Sequence, residues 1–225
     1  METQKNIEKL QNEVKQFLTT KKLKLNGLVI IPKEIEVYYY REGEFEDPSV
    51  HRNELQKNHK NHFYIHRWGT QQSDSYKGGN YPGIDFVVSD DANVYYSYLI
   101  RSALVNDILV IGPHKVLEAI ETTSKLTYKQ IENSEIEVVA NNTSCTVLFS
   151  CRINLGKTVL EEFRNCELRA VLCDESFKNS KYPAKEKMVV NYLLEKVLSG
   201  KMAKNEALNY ANKSLGYIPS SIKNL

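Results

Sequence analysis

The spacing of apolar residues predicts helices at both ends of the chain and strands between them. Between residues 3 and 20, apolar side chains recur every three or four positions among lysines and glutamates, which predicts one amphipathic helix. The same spacing from 184 to 213 predicts two helices, separated at Ser199-Gly200. Short apolar runs bounded by turn residues fill the middle of the chain, a pattern typical of strands. We therefore expect an α+β fold, with a mixed, mostly antiparallel β core and peripheral helices.

The same pattern predicts how the strands connect. The turn residues 90–93 separate two apolar runs and predict an antiparallel pair. Residues 41–82 are polar and rich in His, Asn, Gln and Gly, which predicts a long loop region, and loops of this kind often carry function. The predicted strands are 28–32, 34–40, 84–88, 94–100, 108–111, 136–140, 146–152 and 168–173, and short helices are predicted at 115–120 and 158–164.

One predicted strand, at residues 34–40, combines two carboxylates with an aromatic cluster. Because successive side chains of a strand point to opposite faces, the two acids share a face with two of the tyrosines. That face is either the solvated side of a surface strand or the wall of a reactive site, and the segment alone leaves both open. The polar face would carry Glu34, Glu36, Tyr38 and Tyr40, and the apolar face Ile35, Val37 and Tyr39.

Composition narrows the class of protein. With 225 residues, of which 41% are hydrophobic and 26% charged, the chain resembles a globular protein of one domain, or of one domain and an appendage. No apolar run approaches the roughly 20 residues needed to cross a bilayer, and the first residues are polar, so we expect a cytoplasmic protein without membrane contact. The four cysteines form no CxxC pair, which predicts reduced thiols rather than a zinc ribbon or a redox centre.

Charge is distributed unevenly along the chain. The net charge is only +2, but residues 178–225 carry nine lysines against three glutamates. A nucleic-acid contact would therefore be local rather than spread over the surface, and the lysines are otherwise explained as the solvated face of a helix. We predict an α+β domain at residues 1–177 and a Lys-rich helical extension at 178–225 that packs on the same domain.

Four landmarks follow one another along the chain. They are the acid-x-acid-x-Tyr strand at 34–38, His51 after Asp47-Pro48, an arginine strand at 99–103 with a Gly-Pro-x-Lys helix start at 112–115, and the segments 152–156 and 163–169 around the last core strand. In this order, over roughly residues 10 to 173, they resemble the methylpurine-DNA glycosylase family, the alkyladenine glycosylases that excise damaged purines. The chain is identified as a divergent member.

The resemblance implies a role for nine residues. They are Glu36 as the catalytic carboxylate, Tyr38, His51, His66 and Asp85 as the base pocket, and Trp68, Arg101, Gly112 and Lys115 as contacts to DNA. Three of these positions depart from the family's pattern, because His66 and Trp68 stand for tyrosines and Asp85 for an asparagine. The resemblance also implies double-stranded DNA with a damaged purine as partner, a nucleoid-associated monomer, and neither a metal nor a cofactor.

The chemistry of base excision suits these residue types. Cleavage of an N-glycosidic bond passes through an oxocarbenium-like sugar, so a carboxylate near C1′ is needed to activate water and to stabilise positive charge. The base must first be extruded from the duplex, and stacking on aromatic faces offsets part of that cost. A cationic alkylated base would gain further from a π-face.

Alternatives stay open at this stage. They are Glu34 or Glu44 as the carboxylate, core packing of Tyr38 and Trp68, an ion pair between Arg101 and Asp85 across the sheet, a purely structural turn at Gly112-Pro113, and a zinc site among His51, His59, His62 and His66.

We predict a base-excision DNA glycosylase. The competing functions are a nucleic-acid-binding module without turnover on the same scaffold, and an interaction protein that binds a partner through the Lys-rich C-terminal helices.

Overall fold

The computed structural model describes residues 2–68, 75–156, 159–178 and 183–225. The strands in these ranges are β1 (Lys21–Leu25), β2 (Leu28–Arg41), β3 (Phe45–Glu46), β4 (Phe63–Ile65), β5 (Ile84–Val87), β6 (Val94–Val105), β7 (Ile108–Ile111), β8 (Glu137–Ala140), β9 (Thr146–Ser150) and β10 (Arg169–Cys173). The helices are α1 (Glu2–Thr20), α2 (Pro113–Ser124), α3 (Tyr128–Asn133), α4 (Glu161–Arg164), α5 (Pro183–Leu198), α6 (Lys204–Leu215) and α7 (Ser220–Lys223). These elements confirm the predicted α+β class.

The ten strands form one sheet. Its main path runs β4-β5-β6-β2-β1-β8, while β3 and β10 also pair with β2, β7 pairs with β6, and β9 pairs with β10. Every pairing between these strands is antiparallel. The predicted antiparallel core is therefore confirmed, and no parallel pair of a mixed sheet is found among the described strands.

The long strand β2 organises this sheet. It pairs with β6 along one edge, and along the other edge with β1, then β10 and finally β3. The register with β6 shifts between Pro32 and Ile35, which marks a bulge, and a bulge bends a strand and increases its twist. The strand can therefore exchange partners along its length. It carries Glu36 and Tyr38 through the centre of the sheet.

The N-terminal helix and the sheet share one apolar core. Leu10, Val14 and Leu18 of α1 are buried, as the helical spacing in the sequence predicts. Phe17 of the same helix stacks on Phe86 of β5, with ring centroids 5.4 Å apart. This packing fixes α1 against the strands that lead into the cleft described below.

The C-terminal helices share a second apolar core with the sheet. Leu148 of β9 and Val171 of β10 are buried in the same cluster as Val189 and Leu193 of α5 and Ala207 of α6. Residues beyond the last strand therefore cover β9 and β10, and both strands would be exposed without them. No helix in the described part of the chain is long and apolar enough to cross a membrane.

Several predicted elements are confirmed and others are wrong. The hairpin turn at 90–93, the strand at 108–111, the helix at 3–20 and the break at Ser199-Gly200 agree with the structure, and all four cysteines are free thiols. The two strands predicted at 28–32 and 34–40 are one continuous strand, because the bulge accommodates Pro32.

The predicted loop region at 41–82 is partly wrong, because β3 and β4 lie within it. Both strands are short, and their neighbours in the sequence are polar. The structure places helix only at Glu161–Arg164 where 158–164 was predicted, and residues 157 and 158 lie outside the described ranges. The elements β1 and α3 were not predicted, although a capping box formed by Thr127 and Gln130 marks the start of α3.

Candidate active-site cleft

A cleft of about 790 Å³ lies beside the central strands. It is within the size range of pockets that bind small molecules. Its walls come from β2, β5 and β6, from the segment that follows β4, from the start of α2, and from the segment after β9. Eight of the nine predicted site residues line it: Tyr38, His51, His66, Trp68, Asp85, Arg101, Gly112 and Lys115.

The ninth residue, Glu36, lies directly behind the lining. Its side chain has no exposed surface. One carboxylate oxygen accepts the backbone N–H of Ile153 at 2.8 Å. The other accepts the Tyr38 hydroxyl and Nη1 of Arg101, each at 3.2 Å. Because Tyr38, Arg101 and Ile153 all line the cleft, Glu36 is one side chain away from it.

The second acid of the strand, Glu34, is also fully buried. Nε of Arg169 lies 2.7 Å from its carboxylate, Nε of Arg101 lies 3.5 Å away, and the Ser102 hydroxyl is a further partner at 3.4 Å. The interpretation of this face as the solvated side of a surface strand is therefore wrong. Two arginines from β6 and β10 compensate both acids inside the sheet, as buried charges require.

The structure pairs Arg101 with the two acids of the central strand. Its guanidinium lies against Glu34 and Glu36, and only 11% of its side chain is exposed. The alternative that paired it with Asp85 is wrong, because Asp85 pairs with His66 instead. Arg101 therefore belongs to the interior wall of the cleft and not to its rim.

Tyr38 presents a neutral phenol to the cleft. Burial and, to a lesser extent, the negative charge of Glu36 raise the pKa of its hydroxyl well above the usual value of 10. The guanidinium of Arg152 lies on its ring, 4.9 Å from the centroid. Tyr38 is half-buried and lines the cleft, so it is not purely a core residue.

His51 is a neutral imidazole with one nitrogen engaged. Its Nδ1 lies 2.9 Å from the hydroxyl of Tyr64. Burial and, to a lesser extent, the nearby His66 and Lys77 lower the pKa of His51 to about 3. At neutral pH the ring therefore carries no charge. It faces the ring of His66 at a centroid distance of 4.7 Å.

His66 and Asp85 form the most tightly bonded pair that lines the cleft. Nε2 of His66 lies 2.7 Å from Oδ1 of Asp85, while the Ser97 hydroxyl and the Gln56 amide donate to Oδ2 at 2.7 and 3.4 Å. Burial raises the pKa of Asp85, but the charge and hydrogen bond of His66, together with Ser97, outweigh it and leave that pKa below the usual value. The carboxylate is ionised at neutral pH.

A glycine determines how close the chain can approach His66. A Cβ built on Gly83 would lie 3.1 Å from Cε1 of His66 and 2.8 Å from Cδ1 of Leu99. The first contact would require His66 to move by a few tenths of an ångström, and the second would require the Leu99 side chain to shift. Gly83 therefore allows its backbone to pack directly on the imidazole and to hold it against Asp85.

Two aromatic side chains stand at the edge of the cleft. Trp68 is 48% exposed and Tyr81 is 72% exposed, and their rings lie 5.9 Å apart. Trp68 is therefore not a core anchor, and that alternative is wrong. The sequence analysis did not single out Tyr81, whose only signal is an aromatic residue inside a Gly- and Pro-rich turn.

The start of α2 forms another part of the edge. Gly112 precedes the helix with a φ of 111°, a backbone conformation that favours glycine, and its N–H donates to the carbonyl of Arg101 at 2.8 Å. Pro113 begins the helix, which suits the first helical position. Lys115 is exposed in the first turn and lines the cleft. The Gly112-Pro113 turn therefore starts α2 and also places Lys115 at the mouth of the cleft.

Two further residues, one in the lining of the cleft and one behind it, were not predicted as site residues. Lys77 is half-buried and lines it, and burial lowers the pKa of its ammonium group. Arg152 is fully buried behind Tyr38, where it pairs with Asp47 at 2.6 Å and donates to the carbonyl of Val37. A lysine before a Gly-Gly turn gives no signal of burial, and Arg152 was noticed only as part of a landmark.

The histidines do not form a metal centre in the part of the chain that the structure describes. His51 lies beside His66, while His59 lies beside His62 with ring centroids 4.3 Å apart. Among the described residues, no three His, Cys, Asp or Glu side chains converge as metal ligands would. The zinc alternative therefore has no site there.

Neither the models of known protein families nor the curated protein sequences match the chain.

Proposed function

We propose that this protein is a DNA glycosylase with a methylpurine-DNA-glycosylase-like fold, which hydrolyses the N-glycosidic bond of a damaged or alkylated purine flipped out of duplex DNA. The observation that carries the proposal is the position of Glu36. A buried carboxylate lies behind Tyr38 and Arg101 at a cleft large enough for one nucleotide. The order of landmarks along the chain supports the same assignment.

In this proposal Glu36 acts at the sugar. Its negative charge stabilises the oxocarbenium-like transition state at C1′, and its oxygen accepts a proton from the attacking water. The Ile153 amide and the Arg101 guanidinium hold the two oxygens in a defined orientation. An oriented group gains rate because no entropy is lost in positioning it at the moment of reaction. Neither a metal nor a cofactor takes part.

The other lining residues bind the nucleic acid. Tyr38 and His66 would clamp the extruded base, and His51 would offer it a hydrogen bond. Trp68 would fill the gap that the base leaves in the stack. Lys115 and the free N–H groups at the start of α2 suit a phosphate of the backbone. The partner is therefore double-stranded DNA with a damaged purine, bound by one copy of the chain.

A nucleic-acid-binding module without turnover is the second candidate. It is favoured by one specific observation, which is that Glu36 has no exposed surface and that both its oxygens already have partners. For catalysis, a water molecule must reach this carboxylate when the nucleotide enters. Base release from the substrate, and not binding, distinguishes the two candidates.

The test compares Glu36→Gln with the native protein on duplexes that contain hypoxanthine or an alkylated adenine. The native protein is expected to release the base and leave an abasic site, which alkali converts to a strand break. Glu36→Gln should lose at least about 100-fold in rate and keep duplex binding, because the amide retains the shape but not the charge. Glu44→Gln is the matched control, since Glu44 lies outside the cleft beside Tyr39 and Arg41.

Two results would contradict the assignment. Full activity of Glu36→Gln would exclude Glu36 as the catalytic carboxylate. Binding of lesion duplexes by the native protein with no release of any base would favour the module without turnover.

A further inference from the structure

The buried acids around the cleft all form pairs with basic side chains. Three buried acids each have a basic partner, because Glu34 pairs with Arg169, Glu36 with Arg101 and Asp85 with His66. Each pair consists of a carboxylate and a base within 3.2 Å. None of these acids is therefore left to balance a positive charge on a ligand.

After this pairing, the described lining keeps one half-buried cation, while the exposed Lys115 and Glu118 at the start of α2 have opposite charges. Lys77 lines the cleft, is half-buried, and forms no ion pair with any other residue in the described ranges. Its backbone N–H donates to the carbonyl of His66 at 3.0 Å, so it lies beside the proposed base clamp. Burial lowers the pKa of Lys77, while Asp85 acts in the opposite direction.

The remaining polar side chains at this end carry no negative charge. His51 is neutral at neutral pH, and Tyr38 and Tyr64 are phenols whose pKa values are raised by burial. Gln56 and Ser97 are uncharged and donate to Asp85. The base-binding end therefore holds Asp85, His66 and Lys77, and their summed charge is zero or positive.

From this arrangement we propose that the cleft selects neutral damaged purines and discriminates against cationic alkylated purines, with Lys77 and the His66–Asp85 pair as the specificity-determining residues. The inference rests on the proposed function, because it takes the occupant of the cleft to be an extruded base. It reverses the sequence-based expectation that a cationic base gains from the aromatic clamp.

The physical reason is the cost of desolvating a charge. A cationic purine that leaves water must find a net negative charge to recover its solvation energy. Here it would meet Lys77, and the nearby Asp85 carboxylate is already bonded to His66, Ser97 and Gln56. A neutral purine has no such penalty.

The same cation, Lys77, also favours the departure of a neutral base. When the glycosidic bond breaks, its electron pair remains on the base, which becomes negative, whereas a cationic purine would leave as a neutral molecule. Hydrolysis then places the hydroxyl of water on C1′ and a proton on the base, so no further reactant is needed. The positive charge of Lys77 stabilises the developing anion.

The experiment isolates charge from shape. Duplexes carry 2′-fluoro-7-methylguanosine, which is cationic, or its neutral 7-deaza-7-methyl isostere, and a second pair carries 3-methyladenine and its 3-deaza isostere. The 2′-fluorine prevents hydrolysis, so affinity is read for every protein by fluorescence anisotropy. The native protein is expected to bind the neutral member of a pair at least about 10-fold more tightly, a discrimination that one unpaired charge readily provides.

Two variants and a control complete the test. Lys77→Gln should reduce the neutral-to-cationic ratio at least about 3-fold by improving the binding of the cationic base. His66→Phe combined with Asp85→Asn replaces the ion pair by a neutral ring and an amide, and should reduce the ratio as well. Lys115→Gln removes an exposed lysine at the mouth, and should weaken both duplexes equally and leave the ratio unchanged.

The outcomes separate this inference from the proposed function. Equal affinity for both members of each pair, a preference for the cation, or an unchanged ratio in Lys77→Gln would overturn it. Base release is measured separately with unfluorinated duplexes. Absence of base release would contradict the proposed glycosylase activity, and the ratio of the two affinities would still test the specificity of the cleft. Failure to bind any lesion duplex would overturn both proposals.

Discussion

The guanidinium of Arg152 lies on the ring of Tyr38, with Cζ 4.9 Å from the ring centroid. The same group pairs with the buried Asp47 at 2.6 Å and donates to the Ser49 hydroxyl at 3.0 Å. It therefore joins the segment before His51 to the central strand. The rear wall of the cleft depends on one buried cation.

Substitution of Arg152 should be strongly destabilising. Arg152→Met leaves the Asp47 carboxylate buried without a counter-charge, so we expect the free energy of unfolding to fall by about 3–5 kcal/mol. Urea denaturation measures this value. Glu137→Gln, which breaks the solvent-exposed pair with Lys24, is the control and should change stability by less than about 1 kcal/mol. A loss as small as that for Arg152→Met would mean that the ion pair does not hold the wall together.

The buried His51 should make the fold sensitive to mild acid. Its pKa is 6.5 when unfolded and about 3 when folded, so between these values the unfolded chain binds more protons. Stability contributed by the neutral imidazole is present above pH 6.5 and is lost as the pH falls toward 3. For this one proton, the free energy of unfolding changes by at most about 1.4 kcal/mol per pH unit.

Equilibrium unfolding between pH 5 and 6.5 tests this linkage. His51→Gln should remove most of the slope, because glutamine does not titrate. Tyr64→Phe removes the hydrogen-bond partner but keeps the buried imidazole, so the slope should persist in that variant. An unchanged slope in His51→Gln would show that other groups cause the pH dependence.

The exposed aromatic pair at the edge of the cleft should matter for base extrusion and not for stability. Trp68→Ala and Tyr81→Ala remove the side chains that can enter the duplex, and each should reduce base extrusion at least about 10-fold. The fluorescence of 2-aminopurine beside the lesion reports extrusion. Tyr217→Ala, which truncates an exposed aromatic outside the cleft, should have no effect. Native extrusion by both edge variants would remove the wedge assignment.

The C-terminal helices should unfold together with the sheet. Leu193 of α5 is fully buried in the cluster that contains Val171 of β10, so Leu193→Ala should cost about 2–5 kcal/mol in one cooperative transition. Leu198 lies on the same helix and is 79% exposed, which makes Leu198→Ala the matched control with little effect. Differential scanning calorimetry distinguishes one transition from two, and two would indicate an independent C-terminal unit.

Local patterns explain what was predictable in the fold. The alternation from Glu34 to Tyr40 correctly separates a polar face from an apolar face, and helical spacing correctly identifies α1 and the paired C-terminal helices. The loop region at 41–82 was less predictable, because β3 and β4 contain only two and three residues. Short strands carry too few positions to establish a period.

The candidate site was likewise only partly predictable from the sequence. The sequence drew attention to Glu36, Tyr38, His51 and His66 because these residue types suit the chemistry of base excision. It did not reveal that Asp85 pairs with His66, or that Lys77 lies beside them without an ion pair among the described residues. Residue type is local information, whereas the partner of a charge depends on which strands are neighbours.

By itself, the sequence determined the alternation of side chains along β2 and the set of acids and aromatics that it brings to one face. Only the tertiary structure decided that this face is buried, since Glu36 receives Arg101 from 65 residues away and the Ile153 amide from 117 residues away. A strand pattern states which side chains share a face, but the energy of a buried charge depends on the groups that oppose it. The fold alone supplies those groups.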